Sequence, residues 1–128
     1  MAWKYVPDPN RKHKKGWQKN FVGFIEKPKG SFIGKCPTNL TTEQAEKLLN
    51  TGIEFSPPDW KREYPERIYN IHDGVLYRAT ATNPGESYHG FPEHPTRAQK
   101  LPKVLKERIL KIAEHHNCLE EIKRWLKT

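Results

Sequence analysis

Hydrophobic positions are punctuated by polar ones in short β-prone runs, and the strongest strand signal in the chain lies over residues 67–80. Arg67-Ile68-Tyr69-Asn70-Ile71-His72 and Val75-Leu76-Tyr77-Arg78-Ala79-Thr80 are rich in β-branched and aromatic residues and flank Asp73-Gly74. A two-residue Asp-Gly connection between such runs predicts a hairpin with a type I′ turn, because both central residues need φ > 0. That register opposes Ile71 to Leu76 and Tyr69 to Arg78 on one face, and Asn70 to Tyr77 on the other. A second hairpin is predicted earlier, from Phe21-Val22-Gly23-Phe24-Ile25 and Ser31-Phe32-Ile33-Gly34 around Lys27-Pro28-Lys29-Gly30. Proline there fixes φ and glycine is free to turn.

Helical spacing governs three other stretches. Thr41 with Gln44 three residues on forms a capping box, and Leu40 with Ala45 suits a hydrophobic staple. The helix this starts buries Ala45, Leu48 and Leu49 and is expected to stop at Gly52 in a left-handed conformation. Near the C-terminus, Pro102 suits the first helical position. Val104, Leu105, Ile109 and Ile112 then share one face. After His115-His116-Asn117, a second apolar face runs through Leu119, Ile122, Trp125 and Leu126. Residues 83–97 are dense in glycine, proline and polar side chains and read as a loop. The pattern as a whole predicts an α+β fold. It has a small antiparallel sheet built from two β-hairpins, one short helix between them, and two C-terminal helices packed on one face.

Charge divides this chain of 128 residues unevenly. Of a net charge of +8, residues 1–35 carry +7, with nine basic side chains against Asp8 and Glu26. Residues 1–16, with Pro7, Pro9 and the run Arg11-Lys12-His13-Lys14-Lys15, are expected to be a flexible basic arm. Residues 17–128 are expected to be a single domain. Such asymmetry points to a polyanionic partner. Arg11, Lys12, Lys14, Lys15 and Lys19 beside Trp17 combine the cations and aromatic rings that single-stranded nucleic acid requires, RNA more readily than DNA. The alternative partner is an acidic protein held by the same segment, which would make the chain a protein-interaction module.

A second constellation runs from Arg78 to His94 and holds Thr80, Thr82, Glu86, Ser87, Tyr88 and His89. Metal-independent cleavage of RNA needs a base for the 2′-hydroxyl, an acid for the leaving oxygen and cations for the phosphorane. His89, on an expected exposed loop, is the candidate base or acid. Arg78 and Lys35 are candidates to stabilise charge, and Thr80 to position a phosphate oxygen. The expectation is therefore an RNA-binding domain with a toxin-like ribonuclease activity as its extension.

No zinc spacing occurs among His115, His116, Cys118, Cys36, His89 and His94, so neither metal nor cofactor is expected. Gly-x-Ser-x-Gly, Walker and dinucleotide motifs are absent. Two distant cysteines, Cys36 and Cys118, together with no apolar leader or membrane-length apolar run, predict a cytoplasmic protein with free thiols and no membrane contact.

Overall fold

In the computed structural model, which describes residues 3–6, 23–26, 32–35 and 40–128, Asp73 and Gly74 take φ of 50° and 73°. These values form the type I′ turn that joins β5 (Arg67–His72) to β6 (Val75–Asn83). Ile71 opposes Leu76, Tyr69 opposes Arg78 and Asn70 opposes Tyr77, the register that the two-residue turn implies. β2 (Gly23–Glu26) and β3 (Phe32–Lys35) pair antiparallel as a two-stranded sheet of their own, and the turn expected at residues 27–30 lies outside the described residues. Phe24 of β2 sets its ring against His94 at 4.8 Å.

The main sheet has five strands in the order β1-β7-β6-β5-β4, with β1 (Lys4–Tyr5), β4 (Ile53–Phe55) and β7 (Ser87–Pro92) as the members the sequence conceals. It is mixed rather than wholly antiparallel, because β1 runs parallel to β7. Residues 3–6, the part of the expected flexible arm that the structure describes, are docked on the domain. Trp3 and Tyr5 are buried, the Trp3 amide donates to Asn50 Oδ1 at 2.7 Å, and the Val6 amide donates to the Tyr88 carbonyl at 2.9 Å. Two aromatic rings spaced for one side of a strand bury enough apolar area to hold the segment down. Residues 7–16, the rest of that expected arm, lie outside the described residues.

The expected loop likewise contains a strand and the start of a helix. Pro84 and Gly85 (φ 80°) make a turn closed by the Glu86 amide donating to the Asn83 carbonyl at 3.0 Å, and β7 returns antiparallel to β6. Proline before a glycine with φ > 0 is the type II combination. A short helix, α2 (Pro95–Ala98), follows, capped by His94, whose Nδ1 accepts from the Thr96 amide at 3.1 Å.

Helices cover both faces of the sheet. On one face, α1 (Thr42–Thr51) packs Ala45 and Leu49 against Ile68, Ala79 and Tyr88, with Trp3 and Tyr5 completing the cluster. Its capping box is present, with Gln44 N donating to Thr41 Oγ1 at 3.1 Å and Thr41 N to Gln44 Oε1 at 2.9 Å. On the other face, α3 (Lys103–His115) and α4 (Leu119–Leu126) bury Leu105, Ile109, Ala113, Ile122 and Leu126 against Ile53, Tyr69, Ile71 and Leu76.

Gly52 ends α1 for a different reason from the one expected. Its φ is −84°, not left-handed, but a Cβ there would stand 2.7 Å from both the Tyr69 carbonyl oxygen and Ile68 Cγ2. Close backbone approach, rather than conformational freedom, requires the glycine.

Tyr88 is fully buried and donates to the Pro65 carbonyl at 2.6 Å. Burial pushes its phenol up to about 12, with the negative charges of Glu54 and Tyr64 adding. An unfolded tyrosine ionises near 10. Between those values the unfolded chain gives up a proton that the folded chain keeps. The stabilisation is therefore whole below about pH 10 and is lost as pH rises toward 12. Urea midpoints should fall over that window, and less steeply in Tyr88→Phe; equal slopes would show that Tyr88 does not carry the effect.

Candidate functional site

The register places His89, Thr80 and Arg78 on one sheet face. Two rows of side chains cross it from β4 to β7. Ile53, Tyr69, Arg78 and Phe91 make one row, and Phe55, Arg67, Thr80 and His89 make the next. Tyr69 and Ile53 lie under α3 and α4, whereas Phe55, Arg67, Arg78, Thr80, His89 and Phe91 are half-buried. This is the part of the face that retains access to solvent.

Each arginine lies over the aromatic ring of its cross-strand neighbour. The Arg67 guanidinium is 5.9 Å from the centre of the Phe55 ring and that of Arg78 is 5.9 Å from Phe91. Both cations also have acidic partners. Arg67 Nε lies 2.6 Å from Glu66 Oε1, and Arg67 Nη1 donates to the Tyr69 hydroxyl at 3.2 Å. Burial raises the Tyr69 phenol, opposed by the bond from Arg67 and reinforced by the charge of Glu93. Arg78 Nη1 lies 3.4 Å from Glu93 Oε2, and Glu93 is 1% exposed.

His89 is on a strand, not an exposed loop, and its imidazole is held at both nitrogens. Thr82 Oγ1 is 2.8 Å from Nδ1 and Thr80 Oγ1 is 3.2 Å from Nε2. Thr80 faces His89 directly across the strands, but Thr82 reaches it through a bulge. Ala81 opposes Tyr88 and Asn83 opposes Ser87, so Thr82 is the extra residue of β6. Bulges commonly re-aim a side chain in this way. Thr82 Oγ1 also donates to the Val6 carbonyl at 2.7 Å, which ties the end of the N-terminal strand to the histidine.

Of the residues the sequence singled out, Arg78, Thr80 and His89 converge. Lys35 stands opposite Gly23 in the two-stranded sheet, and its side chain lies outside the described residues. Arg11, Lys12, Lys14, Lys15, Trp17 and Lys19 also lie outside them, as does Cys36. Phe55, Arg67, Phe91 and Glu93 were missed. Period-two spacing from Arg78 through Thr80 and Thr82, and from His89 to Phe91, was the signal that would have found most of this face.

His94 serves as the cap of α2, so it belongs to the scaffold. Cys118 is buried and has a free thiol, pushed up by burial and by Glu121. Among the described residues, no three His, Cys, Asp or Glu side chains are grouped to hold a metal, and no helix is long and apolar enough to cross a membrane. Compared with family models, curated proteins and solved structures, the chain matches none.

Proposed function

We propose that the protein binds single-stranded RNA across this face, with the basic segment running beside the bound strand. The observation that carries the reading is the bond from Thr82 to the Val6 carbonyl. Pro7 follows Val6, so covalent continuity alone keeps Arg11 within about 18 Å of the His89 face. The first cation of the basic run is therefore tethered within reach of the edge of the sheet that carries His89 and Phe91. A strand of nucleic acid needs that pairing of phosphate-binding charge with stacking surface.

Salt dependence tests the reading. If about five phosphates are neutralised on a single strand, log K falls against log salt with a slope near −3.5. Affinity then drops about a hundredfold between 50 and 200 mM salt. Replacing Lys12, Lys14 and Lys15 with Gln should flatten the slope by about 2, leaving a drop of less than about tenfold. An unchanged slope would remove the segment from the binding surface. Polyglutamate bound as tightly as RNA at matched salt would favour an acidic protein partner instead.

A second reading, metal-independent RNA cleavage, is favoured by the hydrogen-bonded pairing of His89 with Thr80. That bond sets an imidazole nitrogen beside a hydroxyl, the arrangement a general base uses.

A further inference from the structure

The hydrogen bonds around Thr82 settle which nitrogen of His89 carries the proton. Thr82 has one hydroxyl hydrogen and lies 2.7 Å from the Val6 carbonyl oxygen, which can only accept. The hydrogen is therefore committed to Val6. His89 Nδ1, 2.8 Å from the same Oγ1, must then be the donor in their bond. A neutral imidazole has a single N–H, so Nε2 is left as a lone pair, and Thr80 donates to it across 3.2 Å. The two bonds are unequal: the one that fixes the ring is short, and the one on Nε2 is long for a hydroxyl donor.

We propose that Thr82 is a positioning residue that holds His89 as the Nδ1–H tautomer. The lone pair on Nε2 then accepts a ribose 2′-hydroxyl in place of Thr80, so this face selects RNA over DNA. The proposal rests on the RNA-binding reading above and supplies its chemical basis. The 2′-hydroxyl is the group that separates the two nucleic acids, and it is a donor. A deoxyribose offers no hydrogen to Nε2, which stays with Thr80. The neighbouring groups suit a nucleotide in that position. The Phe91 ring lies 6.3 Å from the His89 ring on the same strand, within reach of the base whose ribose sits at Nε2. Arg78 precedes Thr80 by two residues on that face, where the adjacent phosphate would lie.

Two measurements test this. Long-range ¹H–¹⁵N spectra at pH 8 should show Nδ1 of His89 protonated and Nε2 unprotonated in the free wild-type protein. In Thr82→Val, which keeps the shape but neither accepts nor donates, the proton should move to Nε2. Fluorescence anisotropy with an RNA oligonucleotide and its DNA counterpart at equal salt should give RNA binding tighter by up to about fivefold for the wild type, because a bond of ordinary length replaces the long one from Thr80. Thr82→Val should bind the two equally. His89→Phe, which keeps a ring but no acceptor, should do the same and serves if the valine variant does not fold. A wild-type ring protonated at Nε2 overturns the proposal, as does an RNA preference that survives both variants. Equal binding of RNA and DNA by the wild type removes this proposal and leaves the binding reading standing. Binding of neither removes both and leaves the tautomer as a property of the fold.

Discussion

Glu93→Ala is expected to destabilise the protein by about 3–5 kcal/mol, measured by urea unfolding at pH 7, with the fold retained at low denaturant. Glu93 is 1% exposed and its carboxylate partners the Arg78 guanidinium, whose side chain is only 19% exposed. Truncation leaves that cation largely out of water with no opposite charge, the situation that makes breaking a buried pair so unfavourable. The backbone around residue 93 keeps its bonds, since its amide donates to the Leu76 carbonyl and its carbonyl accepts from Trp125 Nε1 at 2.8 Å. The loss should therefore be electrostatic rather than a collapse of α4 packing. The pair itself is far from ideal. Its closest approach is 3.4 Å, and among the described residues Glu93 Oε1 and Arg78 Nε have no hydrogen-bond partner. Replacing both residues, with Glu93→Leu and Arg78→Met, should consequently recover most of the stability lost by the single change. A single variant that loses less than about 1 kcal/mol would show that the guanidinium can reach water without its partner, and that the buried pair is not what holds β6 to β7.

What the amino-acid pattern disclosed and what it hid divide along the distance of the stabilising partner. The capping box of α1, the Asp73-Gly74 turn and the apolar stripes of α3 and α4 depend on residues within a turn or two of one another. All of them could be read from local spacing, except that Val104, expected on the apolar face of α3, is 70% exposed because it stands off the face that Leu105, Ile109 and Ala113 bury. The strands that were missed depend on partners far along the chain. β1 is two residues long and exists because Trp3 and Tyr5 fill space beside α1, more than forty residues away. β7 carries Gly90 and ends at Pro92, so its composition resembles a loop, yet pairing with β6 along almost its whole length overrides that local signal. Gly52 was correctly marked as the end of a helix, but its cause is the approach of Tyr69, which no local pattern contains. The same division holds for the site. His89, Arg78 and Thr80 lie on or beside the most legible hairpin. Their surroundings are set by Thr82 at a bulge, by Glu93 among prolines, and by Val6 at the far end of the chain. Each of those contacts is tertiary.

The largest catalytic effect is expected at His89. On the cleavage reading, the unprotonated Nε2 exchanges its bond with Thr80 for the 2′-hydroxyl and removes the proton of that group. The freed oxygen attacks the adjacent phosphorus, and the bond from phosphorus to the 5′-oxygen breaks as that oxygen takes a proton from water, which recovers one from the His89 imidazolium, leaving a 2′,3′-cyclic phosphate and a 5′-hydroxyl. His89→Ala should lower that rate by about a hundredfold or more, the usual loss when a general base is removed. Every step uses side-chain acids, bases and cations, so the reaction should proceed in EDTA. The fold should survive, because the imidazole is half-buried on a strand whose neighbours Tyr88 and Pro92 stay packed. His94→Ala is the informative control. It removes an imidazole five residues away whose bonds are to the start of α2 and whose ring meets Phe24, so it should affect stability and leave the rate nearly intact. The geometry also sets the terms on which the reading competes with simple binding. Arg67 and Arg78 are already engaged by Glu66 and Glu93. Charge for a phosphorane must therefore come from a guanidinium that loosens its ion pair, or from the N-terminal cations tethered at Val6. If the latter, replacing Lys12, Lys14 and Lys15 should lower the cleavage rate beyond the loss of affinity, a split that saturating RNA would expose. Equal cleavage by wild type and His89→Ala would place the activity elsewhere. If the wild type cleaved no RNA, the face would be left as a binding surface, with the Thr80–His89–Thr82 chain serving recognition alone.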